Sequence, residues 1–99
     1  MAMIVDPQRR EVRALARATA WRGKRVLEIG CGDGRLTLRL AGLGPRRIAA
    51  IDPDAASVRR ARAALPARHR RRVEYRVGSA LRLPYRARQF DCVVFAWAL

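Results

Sequence analysis

Short, nearly continuous apolar runs alternate along the chain with segments whose apolar residues return every three or four positions. The runs at 24–29, 46–51, 72–77 and 90–95 predict strands, and the near absence of polar alternation in the second predicts burial on both faces of a parallel sheet. Three segments carry the helical period. Val12, Leu15, Ala16 and Thr19 follow a start signal at Asp6-Pro7 and end at Trp21-Arg22-Gly23, with Trp21 expected to pack against the sheet rim. Leu36, Leu40 and Leu43 follow Gly34 and close at Gly44-Pro45, with Asp33 placed to cap that helix. Val58, Ala61 and Leu65 face inward, with Arg59, Arg60 and Arg62 outward, between Pro53-Asp54 and Pro66. Asp54 as the cap of this helix leaves Asp52 free.

Two successive strand-helix-strand units predict right-handed crossovers within one sheet. The fold class is therefore α/β: a Rossmann-like three-layer fragment with helices on both faces and its four strands in the spatial order 3-2-1-4. Residues 1–23 form an N-terminal helix in this reading, and residues 24–99 the domain itself. Gly78-Ser79-Ala80 is a turn, and residues 81–89, with Pro84, an irregular connection. The first and fourth strands meet at the switch point. Ligands of open parallel sheets bind there, outside the carboxyl ends, where Gly30 to Gly34 and Asp52 both fall. Because the chain stops at Leu99, the fourth strand is expected to be an unpaired apolar edge prone to self-association through residues 92–99.

Length and charge narrow the picture. Ninety-nine residues, 51% of them hydrophobic, make one small folded domain despite a formal net charge of +14. All basic residues except Lys24 are arginine. Two readings stay open: solvated surface charge, or a nucleic-acid module in which the arginines of 68–76 and 82–88 dock phosphates. Aromatics are few and not interleaved with those arginines, so base stacking gains no support. Cys31 and Cys92 share no CxxC or histidine spacing, which predicts reduced thiols and no metal site, and His69 reads as a solvated loop residue. The first ten residues lack the apolar centre of a signal peptide, and no run is long enough to span a membrane; a cytoplasmic protein is expected.

The chemistry concentrates in Val26-Leu27-Glu28-Ile29-Gly30-Cys31-Gly32-Asp33-Gly34, a strand running through three alternating glycines into a helix. Glycines there let the chain turn sharply and a ligand approach the main chain. A dinucleotide-binding fingerprint, G-x-G-x-x-G, would need glycine where Arg35 stands.

With Ala50-Ile51-Asp52, Gly78-Ser79-Ala80, Leu83-Pro84-Tyr85 and Phe90-Asp91-Cys92-Val93-Val94 following in order, the chain resembles the class I S-adenosylmethionine-dependent methyltransferases over residues 24–99. The resemblance implies S-adenosyl-L-methionine as cofactor, with Gly30, Cys31, Gly32 and Gly34 close to it and Glu28 orienting its methionine amino end. It implies that Asp52 accepts the ribose hydroxyls, that Pro53 also contacts the cofactor, and that Ser79, Ala80 and Leu81 lie near the adenine. Ser79 stands where many members carry an aspartate, and the chain ends before the segments that usually supply the acceptor pocket. No catalytic residue is assigned, Asp33 and Asp91 read as structural, and the acceptor is open. A basic nucleic-acid-associating module and an inactive remnant of a longer methyltransferase remain the alternatives.

Overall fold

The computed structural model describes residues 2–5, 21–83 and 85–96. Five strands form one parallel sheet: β1 (Ala2–Val5), β2 (Arg25–Ile29), β3 (Arg47–Asp52), β4 (Val73–Val77) and β5 (Cys92–Phe95), in the order β1-β5-β2-β3-β4. The last four reproduce the expected 3-2-1-4 arrangement, each starting within two residues of its expected position. Register is fixed by the pairs Arg25↔Arg47, Ile48↔Val73 and Val26↔Cys92, so the strand starts line up as one row and the strand ends as another.

Burial explains why β3 is apolar throughout. Ile48, Ala49, Ala50 and Ile51 are all 0% exposed because they alternate between two cores, one on each face of the sheet. On one face lie helices α1 (Arg35–Ala41) and α2 (Ala55–Ala64), which bring Leu36, Leu40, Val58 and Ala61 onto Val26, Ile48, Ala50 and Val94. Trp21 joins this core, as a packing residue should. Leu27, Ile29, Ala49, Ile51 and Val93 form the second core under Phe90, with Tyr85 packed against it and meeting Phe90 edge to face at 5.1 Å. Of the helices expected on both faces, the described residues supply those of the first face. Two consecutive crossovers of one hand moving the same way across a sheet stay on the same side of it.

The helix ends divide by chemistry. Asp54 caps α2 as expected, its Oδ1 accepting from the Ala56 amide at 3.2 Å. Asp33 does not cap α1, correcting the reading of the sequence. The cap position is Gly34, whose φ of 91° turns the chain into the helix without a side-chain acceptor, and the Asp33 carboxylate pairs instead with Arg35 at 3.3 Å. Asp91 is structural: its Oδ2 accepts from the Arg25 amide at 2.9 Å, and its Oδ1 pairs with the Arg25 guanidinium at 3.2 Å, locking the starts of β2 and β5. That partner holds its carboxyl down at about 2.

The start of the chain brings a second correction. Residues 1–23, expected as an N-terminal helix, include the strand β1, which pairs in parallel with β5 from Ala2↔Cys92 to Val5↔Phe95. β5 is therefore an interior strand with β2 on its other side, and the unpaired edge expected at residues 92–99 does not exist over the described part of that segment. The helix expected from Asp6 to Thr19 lies outside the described residues.

Candidate functional site

The glycine loop leaves β2 at its carboxyl end and is tied at once to β3. The amides of Gly30 and Cys31 both donate to the carbonyl of Ile51, at 2.8 and 3.0 Å, and the Gly34 amide closes a turn on the Cys31 carbonyl at 3.0 Å. Two of the glycines show opposite needs. At Gly32, with φ of 56°, an added Cβ would meet nothing within 4 Å among the described residues, so its main chain faces open space between them. At Gly34 an added Cβ would sit 2.5 Å from the Tyr75 hydroxyl and 3.3 Å from the Ala61 Cβ. The first glycine thus leaves room for a ligand, and the second lets the loop lie down on the core.

Asp52, the last residue of β3, faces this loop. Its Oδ2 accepts from the Gly32 amide at 2.9 Å and its Oδ1 from the Asp54 amide at 2.9 Å. With Asp54 taking the cap, the Asp52 carboxylate is oriented by two main-chain donors, one on each side. A carboxylate offers about four lone-pair positions, so each oxygen keeps capacity for one further donor.

Above Asp52 opens a cavity of about 360 Å³ lined by Ile29, Gly30, Asp52, Pro53, Gly78, Ser79 and Ala80. It lies at the carboxyl ends of β2, β3 and β4, where parallel sheets hold ligands. The structure brings Gly30, Asp52, Pro53, Ser79 and Ala80 together around it, with Gly32 joined through its amide to Asp52. Ser79 Oγ accepts from the Leu81 amide at 3.1 Å, which leaves its O–H as a donor. Leu81 itself is 97% exposed and is not among the lining residues. Ile29 and Gly78 also line the cavity although neither was singled out in the sequence. Gly78 sits in the turn quoted with Ser79 and Ala80, and that signal was sufficient to find it.

Three expected site residues lie beneath the loop. Gly34 rests on Tyr75, the Cys31 side chain points into the first core, and Glu28 is 0% exposed. Glu28 Oε1 accepts from the Thr37 hydroxyl, while Oε2 and the buried Tyr75 hydroxyl have no hydrogen-bond partner among the described residues. Burial pushes the Glu28 carboxyl up to about 7, the Thr37 hydrogen bond opposing it. Burial likewise pushes the Cys31 thiol and the Tyr75 phenol up to about 12 each, so neither is ionised at neutral pH. Thr37 and Tyr75 carried a sequence signal only as positions on the buried faces of their elements.

Among the described residues no group of histidines, cysteines and carboxylates could hold a metal, and no helix is long and apolar enough to cross a membrane.

Comparison with known proteins adds the family. Residues 26–99 match the model of a methyltransferase domain family. No curated protein matches the sequence. Among solved structures, the chain is similar to an S-adenosylmethionine-dependent methyltransferase from Mesorhizobium loti, with 24% identity and a TM-score of 0.71, over 83% of this chain and 38% of that one. It is similar to the cyclase SpnF, with 32% identity and a TM-score of 0.71, over 85% of this chain and 32% of that one. Protein arginine methyltransferase 10 of Arabidopsis thaliana gives 28% identity and a TM-score of 0.69, over 87% and 25%. The chain therefore spans less than half the length of each of these proteins. With the family model covering three quarters of its length and the sheet order, glycine loop and strand-end aspartate all in place, the chain belongs to the methyltransferase domain family, the class I S-adenosylmethionine-dependent fold that its motifs resemble.

Proposed function

We propose that the cavity over Asp52 binds S-adenosylmethionine and that the chain is the cofactor-holding part of an enzyme that methylates an acceptor. The observation that carries this reading is the Asp52 carboxylate, fixed by the Gly32 and Asp54 amides at the rim of a cavity floored by Gly30 and Ile29. Held in that way it keeps one acceptor position on each oxygen, which matches the two hydroxyls of a ribose. The open main chain at Gly32 leaves room for the methionine part, and Pro53, Ala80 and Ile29 give an apolar slot for a flat base. Ser79 presents a hydroxyl donor where an aspartate would accept, so it suits a ring nitrogen of the base better than an exocyclic amine.

Bound there, the cofactor supplies an electrophilic sulfonium methyl. The residues of this chain orient it: Asp52 through the ribose and Ser79 through the base, with the glycine loop leaving room beside them. Glu28 acts from below, its fully enclosed carboxyl joining β2 to α1 through Thr37 rather than reaching the ligand. Because this fold is shared with a protein named as a cyclase, binding and transfer are separate questions.

Calorimetric titration with S-adenosylhomocysteine tests the reading. Saturable binding is expected, weakened at least tenfold in Asp52→Ala, since hydrogen bonds to a charged acceptor are worth about 1.5–3 kcal/mol each. Equal binding by a folded Asp52→Ala variant, or preference for a nicotinamide dinucleotide, would contradict it.

A further inference from the structure

The end of the sheet opposite the cavity carries a different surface. The parallel register aligns the starts of β2, β3 and β4, and the residues that precede and open these strands include Arg22, Arg46, Arg47, Arg70, Arg71 and Arg72. Five arginines, Arg47, Arg62, Arg70, Arg71 and Arg72, line a cleft of about 420 Å³. Arg72 also lines a neighbouring cleft of about 350 Å³ together with Arg22 and Arg46, so the two form one basic surface.

Most of this charge is uncompensated. Among the described residues Glu74 is the only carboxylate in the larger cleft, and it is engaged by Arg47 at 3.0 Å and by the Tyr85 hydroxyl at 3.0 Å. Arg62 is spent on the Tyr75 carbonyl at 2.7 Å, where it fixes α2 to β4. Arg22, Arg46, Arg70, Arg71 and Arg72 are all exposed and pair with no carboxylate among the described residues. A row of unpaired guanidinium groups over strand starts about 4.8 Å apart is set for a ligand whose negative charge repeats.

We propose that this arginine surface docks the phosphate backbone of a duplex nucleic acid without reading its bases. Guanidinium forks match phosphate oxygens in pairs. Tyr75, the one aromatic lining the cleft among the described residues, is 3% exposed and cannot stack on a base, which sets single-strand recognition aside. An anionic membrane fits less well. The exposed large apolar side chains among the described residues, Val77, Leu81 and Leu83, lie at or beyond the carboxyl end of β4 and leave none at the arginine surface to insert into lipid. The docking surface and the cavity sit at opposite ends of the strands, so backbone binding does not require the cavity to be filled.

The test is titration of the 99-residue protein into a fluorescently labelled RNA duplex and a DNA duplex of mixed sequence, over a range of salt. Two paired variants that remove equal charge are compared: Arg70→Gln with Arg71→Gln in the cleft, and Arg35→Gln with Arg82→Gln at the other end. The cleft pair is expected to weaken binding and to lower the slope of log affinity against log salt by about 2, with the distal pair near wild type. Arg70→Lys with Arg71→Lys is expected to keep the slope and lose affinity, since the charge stays and the fork is lost. Equal losses in the cleft and distal pairs would reduce the effect to net charge and overturn the proposal. Failure of either duplex to bind at moderate salt, or binding to phosphatidylserine vesicles that competes fully with the duplexes, would overturn it as well.

Discussion

Burial of Glu28 makes the stability of this protein depend on pH. Its carboxyl ionises at about 4.5 in an unfolded chain and near 7 in the folded one, because burial disfavours the charged form more than Thr37 restores it. Between those values the folded state holds a proton that the unfolded state has lost. Stability is therefore full below about 4.5 and falls as pH rises to about 7, by roughly 3 kcal/mol in all. Asp91 acts in a lower window and with the opposite sign: held at about 2 by Arg25, it favours the fold above its ordinary value of 3.8 and less so as pH falls toward 2. The prediction is that Glu28→Gln flattens stability between pH 4.5 and 7 and makes the variant more stable than wild type at pH 8, as chemical denaturation at several pH values would show. An unchanged slope would mean that Glu28 is solvated. At this scale the sequence was only partly legible. Asp54 announced itself as a cap by standing just ahead of a helical period, and Asp52 by ending a strand. Asp33 misled because a left-handed glycine follows it and takes the cap position. Glu28 gave no sign of its burial, since a strand covered on both faces has no polar side to assign it to.

Among elements, β1 decides how the sheet ends. Four strands could be read from the sequence because each lies between turn signals and is connected to its neighbour by a helix or loop of ordinary length. Ala2–Val5 carries no such context: it is four residues long and its partner is β5, ninety positions away, so nothing local distinguishes it from an apolar tail. Its effect is large, because the Cys92–Phe95 strand would otherwise show a row of unpaired amides and carbonyls beside an apolar surface. A short edge strand is a common way to blunt such an edge. Deleting residues 1–5 is therefore expected to turn a monomer into a species whose sedimentation depends on concentration, while the 99-residue protein stays monomeric at moderate salt. Identical sedimentation of the two forms would show that β1 does not protect β5.

Across the whole molecule, the parallel sheet separates charge. The carboxylates of Asp33, Asp52 and Asp54 gather at the carboxyl ends of the strands, beside the cavity. Among the described residues the carboxylates at the amino ends, Glu74 and Asp91, are each paired with an arginine, and the remaining arginines face outward. One end is thus suited to a small ligand with hydroxyls and positive charge, and the other to a polyanion. The sheet order and the position of the cavity were legible because two strand-helix-strand units leave little choice of topology. The clustering of arginines was not, because residues 46–47 and 70–72 are distant in sequence and meet only through the Ile48↔Val73 register.

A nitrogen-15 amide spectrum of the protein titrated with S-adenosylhomocysteine would locate the cofactor site residue by residue. The amides of Gly30, Gly32, Asp54, Ser79 and Ala80 are expected to shift together along one saturating curve, while those of Arg70 to Arg72 stay in place. Shifts confined to the arginine surface, or none that saturate in a folded protein, would contradict a cofactor site over Asp52.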